Sequence, residues 1–181
     1  MSRLKDLIHY ILFDKKDKTL TKYYRYIGAN IGEGCSFVGR NISFSSEPYL
    51  VTLGNNVRVS FDVAFVTHDG GTHILRQKYP NISIYGTIEV GDNVFIGARS
   101  IIMPNVKIGS NCIVAAGSIV TKDVKENSIV AGIPAKQISS IDEYEKKHER
   151  EFMFIANYKY DEKKRILIEH FEKNIYFRKW N

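Results

Sequence analysis

Five histidines carry much of the acid–base capacity of this 181-residue chain. Two of them, His68 and His73, bracket the run His-Asp-Gly-Gly-Thr-His. An imidazole has an unperturbed pKa of about 6.5, so one held in place can take a proton from a hydroxyl near neutral pH. The H-x4-H spacing also admits zinc, but a zinc centre needs at least one further ligand. The run enters a glycine-rich stretch, and no third histidine stands in the central part of the chain. Cys35 and Cys112 add no CxxC or other metal spacing, and no metal is expected. Both cysteines read as small buried thiols in the reduced state. His9, His148 and His170 lie in the terminal segments and read as ordinary surface or packing residues.

The elements that must position these groups follow from a six-residue rhythm. Ile84, Val90, Ile96, Ile102, Ile108, Val114 and Val120 form a ladder of branched aliphatic residues. Four residues behind each rung runs a second rail of Ile88, Val94, Ser100, Val106, Cys112, Ser118 and Val124. Neither a 3.6-residue helix nor a simple two-residue strand has this period. Hexapeptide repeats of this kind build a parallel β-helix, each repeat supplying a short strand and a corner. Both rails point inward, and Gly91, Gly97 and Gly109, each following a rung, are expected to relieve the corners.

Repeat character begins near Ile27 and ends near Ile138. Ile31-Gly32, Cys35 and Phe37-Val38 make an imperfect first coil, and Ser43–Leu50 breaks the phase. The segments starting at Val90 and Ile108 are eighteen residues apart, one three-sided coil, whereas Leu53 and Val90 are thirty-seven apart. The surplus nineteen residues, 69–87, read as a loop extruded from one corner, the kind of insertion that lies on a working face. Three regions result: an N-terminal helical segment over 1–26, the β-helix over 27–138, and a C-terminal helical tail over 139–181. Leu4, Leu7, Ile8, Ile11 and Leu12 stripe one side of a short helix. Ser140-Ile141-Asp142-Glu143 reads as a capping box, and Asp161 as the cap of a second tail helix. The terminal helices are expected to cover an open end of the prism.

Composition sets the outer bounds. No stretch approaches the roughly 18 apolar residues of a membrane span, and charges at Lys5, Asp6 and His9 interrupt any secretory pattern. The expected location is the cytoplasm, with no membrane contact. The net charge of +6 gathers near the ends, at Lys15, Lys16, Lys18, Lys163, Lys164 and Arg165 among others. It reads as solvated helix faces, since no nucleic-acid-binding motif accompanies it.

Three runs together resemble a known family: Asn93-Val94-Phe95-Ile96-Gly97-Ala98, then Ala115–Asp123 (Ala-Ala-Gly-Ser-Ile-Val-Thr-Lys-Asp), then Ala131-Gly132-Ile133-Pro134-Ala135-Lys136. In this order they are similar to the hexapeptide-repeat acyltransferases, and more narrowly to galactoside/maltose, capsular-polysaccharide and xenobiotic acetyltransferases. The resemblance implies a mainly β fold, a left-handed parallel β-helix with peripheral helices. It also implies a homotrimer with active sites between subunits, and acetyl-CoA as co-substrate. His68 resembles the family's catalytic histidine. Glu47 and Asp69 are the acidic residues that the resemblance places near the acceptor or behind the base, and His73 falls where the acceptor is lined.

Coenzyme A carries a long pantetheine arm, and small residues along a coil edge let such an arm approach. Gly97, Ala98, Ala115, Ala116 and Gly117 supply them, and Ala98 and Ala116, eighteen apart, should stack. A backbone N–H near Gly97-Ala98 is the expected oxyanion donor. By resemblance, Thr121 and Lys122 meet the nucleotide end and Lys136 a phosphate. Phe95 stands where some relatives have tryptophan. The leading expectation is O-acetylation of a sugar or surface-polysaccharide precursor. An amino-sugar or antibiotic acceptor, an inactive trimeric scaffold and a γ-type carbonic anhydrase remain as alternatives.

Overall fold

The computed structural model describes residues 17–39 and 41–174. The apolar stripe from Leu4 to Leu12 lies outside them. Two compact units divide the chain after Tyr144. The first opens with helix α1 (Asp17–Tyr26) and continues as short strands wound round a three-sided prism. Strands β1 (Asn30–Ile31), β3 (Val51–Leu53), β6 (Ile88–Val90) and β9 (Lys107–Ile108) stack as the first sheet. The second holds β2 (Ser36–Phe37), β4 (Arg58–Val59), β7 (Phe95–Ile96), β10 (Ile113–Val114), β12 (Ser128–Gly132) and β13 (Ala135–Ser140). The third holds β5 (Ala64–Phe65), β8 (Ile101–Ile102) and β11 (Ile119–Val120). Every pairing is parallel except β12 with β13, which folds back.

The register explains the six-residue rhythm. Phe95 pairs with Ile113, Ile101 with Ile119 and Glu89 with Lys107, so one circuit takes eighteen residues. Val90, Ile96, Ile102, Ile108, Val114 and Val120 all face the interior, as do Ile88, Val94, Val106 and Cys112. Each fully buried Val or Ile contributes roughly 1.5–3 kcal/mol, which favours this phase over any other. Ser100 and Ser118 are fully buried on the second rail, and both hydroxyls donate to Ala115 O, at 3.1 and 2.7 Å. Cys35 and Cys112 are buried and unpaired to each other. Burial pushes both thiols above their ordinary pKa.

The ladder's first expected rung is not one. Ile84 is 55% exposed. It lies before the chain re-enters the prism, where Gly86 N donates to Thr67 O and Ile88 begins the next buried rail. The corner glycines also work differently from expectation. Left-handed φ values fall on Asn56, Asn93 and Asn111 at the first corner, not on Gly91, Gly97 or Gly109. Asparagine tolerates that region. The glycines are required by close stacking: a Cβ on Gly97 would sit 2.5 Å from Ala116 N and 2.8 Å from Val114 O. Both atoms are backbone and cannot swing aside. Gly97→Ala is therefore expected to destabilise the prism by about 1–3 kcal/mol, the cost of overpacking. An unchanged denaturant midpoint would refute this account of the corner.

Tyr24 of α1 is buried over the first coil, its ring 4.8 Å from Phe37 and 4.7 Å from Phe44. Phe44 stacks in turn on Phe65 at 4.8 Å. Thr21 and Arg25 donate to the carbonyls of Cys35 and Ile31, closing the first coil's backbone. After β13, helix α2 (Ile141–His148) starts with the expected reciprocal cap. Ser140 N donates to Glu143 Oε2 and Glu143 N to Ser140 Oγ. Helix α3 (Tyr160–Asn174) begins two residues earlier than a cap at Asp161 requires, so Asp161 lies inside its first turn. The carboxylate there still favours the positive end of the helix dipole.

Candidate functional site

Two insertions leave the prism at the same corner, between the third sheet and the first. The earlier one follows Phe44 and closes through the short 3-10 turn Pro48–Leu50. The later one follows Thr67, carries the 3-10 turn Gly70–Leu75, and returns through an antiparallel bridge between His68 and Tyr85. One coil separates their roots, because Ser43 pairs with Ala64. Residues twenty-one apart in sequence thus become neighbours.

That stacking brings Glu47 onto His68. Glu47 Oε2 lies 2.8 Å from His68 Nδ1 and accepts a second hydrogen bond from Thr67 Oγ1 at 2.7 Å. The Glu47 side chain is only 14% exposed, against 39% for His68. The hydroxyl of Thr67 and then the imidazole hold the Glu47 carboxyl below its ordinary value of 4.5. A carboxylate at this site accepts a hydrogen bond from Nδ1–H, leaving Nε2 as the ring nitrogen able to take a proton. Ser45 braces the arrangement: its hydroxyl donates to Phe65 O and accepts from Thr67 N.

His68 opens onto a cleft of about 250 Å³ lined by Ser46, Glu47, Asp69, His73, Arg76 and Tyr85 among others. Sites for drug-sized ligands run from about 300 to 1,000 Å³, so this one suits roughly a single ring. The ring of Tyr85 stands edge-on to His68 at 6.3 Å. Asp69 lies in the cleft but is engaged elsewhere. Its Oδ1 accepts from Gly71 N at 2.8 Å and caps the 3-10 turn, so Glu47 alone of the two expected carboxylates holds the imidazole. His73 lines the same cleft through the far end of that turn. Among the described residues, no group of three or more metal-ligating side chains forms.

The small-residue edge lies on another corner, between the second and third sheets. Ala98 and Ala116 stack there as their spacing required, and Gly117 N donates to Ala98 O. The Gly97 N–H is committed to Val114 O at 2.8 Å, which removes it as an oxyanion donor. The N–H groups of Ala98 and Ala116 have no partner among the described residues. An added Cβ on Gly117 would meet open space. Phe95 faces outward on the second sheet, 40% exposed. Thr121 and Lys122 follow β11 on the corner that carries His68 two coils earlier. Lys136 is exposed on β13, opposite Ala131. Within one chain the third sheet separates His68 from the Ala98–Ala116 edge.

Sequence reasoning passed over Thr67, Arg76 and Tyr85. Thr67 had a legible signal. Val63, Phe65 and Thr67 alternate inward along the extended run that includes β5, so the third carries a hydroxyl into the interior. Arg76 and Tyr85 had none, because a loop without periodicity does not reveal which side chains turn back towards its root.

A family model for bacterial transferase hexapeptide repeats, six in number, matches residues 87–122. The chain is 48% identical over 153 residues to Protein CapG of Staphylococcus aureus, covering 84% of this chain and 89% of that protein. It is 37% identical over 125 residues to the galactoside O-acetyltransferase of Escherichia coli K12, covering 68% of this chain and 60% of the relative. In three dimensions it resembles the hexapeptide-repeat acetyltransferase VCA0836 of Vibrio cholerae. That match has a TM-score of 0.54 at 20% identity, covering 77% of this chain and 90% of the other. With a coil of eighteen residues and a stacked glycine edge, the chain belongs to the hexapeptide-repeat acyltransferases, as a left-handed parallel β-helix acetyltransferase.

Proposed function

We propose that the protein transfers an acetyl group from acetyl-CoA to a hydroxyl of a sugar or surface-polysaccharide precursor, with His68 as general base. The observation that carries this reading is the 2.8 Å contact between His68 Nδ1 and Glu47 Oε2 at the wall of a ring-sized cleft. Nε2 of His68 takes the acceptor's proton as that oxygen attacks the acetyl carbonyl. The carbon–sulfur bond breaks, and the proton passes from His68 to the departing thiolate. Glu47 stabilises the imidazolium between the two transfers. The likeness to a galactoside O-acetyltransferase supports a sugar hydroxyl as the acceptor.

The unpaired N–H groups of Ala98 and Ala116 face an edge bare of large side chains, which suits an extended chain carrying amides. Of the Gly97-Ala98 pair, the Ala98 N–H serves as the oxyanion donor. Thr121, Lys122 and Lys136 receive the nucleotide end, and Phe95 shields the thiol end. The same reading includes assembly as a homotrimer, in which a second copy sets its edge beside the His68 of the first.

Ala116→Trp fills the edge without touching His68. It is expected to weaken CoA binding about tenfold or more, a loss of roughly 1.4 kcal/mol. Calorimetric titration with CoA tests this, and unaltered affinity would remove the proposed groove. For the reaction itself, purified protein is given acetyl-CoA with sugar, amino-sugar and antibiotic acceptors, and free thiol is measured. Turnover with amines alone would overturn O-acetylation.

A further inference from the structure

Arg76 is exposed at the wall of the cleft, and its side chain has only neutral partners. Its Nε donates to Ile82 O at 3.3 Å and its Nη2 lies 3.5 Å from Ser83 Oγ. Both contacts are long and both partners neutral. Among the described residues, no carboxylate comes within ion-pair distance of it. The two carboxylates of the same cleft are engaged elsewhere, Glu47 on Thr67 and His68, and Asp69 on Gly71 N. His73 stands one turn earlier and lines the cleft beside it, with Arg76 N donating to His73 O. The loop's turn is thereby tied to its return segment, and this holds an uncompensated guanidinium at the wall.

A planar guanidinium matches the two oxygens of a carboxylate or phosphate better than any single hydroxyl. Resting on the sugar acetyltransferase reading above, we propose that Arg76 selects acceptors with an anionic substituent. The sugar ring sits between His68, which meets the reacting hydroxyl, and Arg76, which receives the charge. A ring carboxylate, as in a uronic acid, and a phosphate ester present the same oxygen pair to this fork.

Matched acceptors separate the two sources. A uronic acid glycoside is compared with its hexose counterpart, and a hexose phosphate with the free hexose, by kcat/KM at fixed acetyl-CoA. The wild type is expected to favour the charged member of one pair by about tenfold or more, as a charge-assisted contact allows. The preferred pair identifies carboxylate or phosphate. In Arg76→Gln the charged-to-neutral ratio is expected to fall to about one, and in Arg76→Lys to an intermediate value. The ratio matters because a loop that merely loosens would slow both members together and leave it unchanged. Equal wild-type rates within both pairs, or a ratio that survives Arg76→Gln, would overturn the assignment while leaving sugar acetylation standing. Transfer to none of the four sugars would overturn both.

Discussion

Replacing His68 with alanine is expected to lower acetyl transfer by about 10²–10⁴-fold, the usual worth of a positioned general base. The CoA affinity of the same variant should stay at the wild-type level, because the groups proposed to hold CoA are the backbone N–H groups of Ala98 and Ala116 and the side chains of Thr121, Lys122 and Lys136, not the imidazole. Calorimetric titration and a thiol-release assay on one preparation read the two quantities separately. Turnover within a few-fold of wild type would sink the assignment of His68 as base. Loss of CoA binding together with turnover would point instead to collapse of the corner, which a thermal melt detects.

The second large effect belongs to Glu47, a positioning residue acting through the imidazole. Glu47→Leu removes the acceptor of the His68 Nδ1 proton and strands the Thr67 hydroxyl in a buried position. We expect kcat to fall by about 10²-fold or more, towards the roughly 10⁴ seen when the orienting carboxylate of a catalytic histidine is neutralised. KM for acetyl-CoA should hardly move. Glu47→Gln keeps the shape but replaces the charge with an amide that can donate to the ring and favour the wrong tautomer, so its kcat should also fall by about 10²-fold or more. Equal kcat for all three proteins would exclude the orienting role.

Glu47 also makes a prediction about pH and stability. Its folded carboxyl is held below the ordinary 4.5, chiefly by the Thr67 hydroxyl and next by His68. A depressed folded value means that its stabilisation is present above the unfolded value and is lost as pH falls through the folded one. The melting temperature of the wild type should therefore exceed that of Glu47→Leu most clearly near neutral pH. The gap should narrow once the pH drops below about 4.5. A gap constant from pH 7 to pH 3 would show that the ionised carboxylate contributes nothing.

Much of the architecture was legible before any coordinates. A period of six combined with an eighteen-residue repeat admits a three-sided prism and little else, because a buried rung must recur on every face. The same arithmetic exposed the nineteen surplus residues and so located the loop with His68 and His73. The capping box at Ser140 was also readable, since its two hydrogen bonds are local. The ladder over-reached at Ile84, where a branched residue fell in phase by position and yet sits on the loop. A period counts residues and says nothing of which ones the backbone has carried away from the core.

What needed the tertiary structure was everything set by stacking between coils. Glu47 and His68 are twenty-one residues apart, and their contact depends on two insertions leaving the same corner one coil apart. The choice between Glu47 and Asp69 turned on a single hydrogen bond to Gly71 N. The withdrawal of the Gly97 N–H from the oxyanion role turned on its bond to Val114 O. Arg76 lines the cleft only because its loop folds back on its own return segment, at Ile82 and Ser83. The chain's six-residue repetition determines by itself that a prism forms and where it is interrupted, because burial of every sixth side chain is a local and additive pressure. Which side chains meet at the interruption is decided by the stacking of coils, because one circuit carries the chain eighteen residues on before it touches its own previous turn.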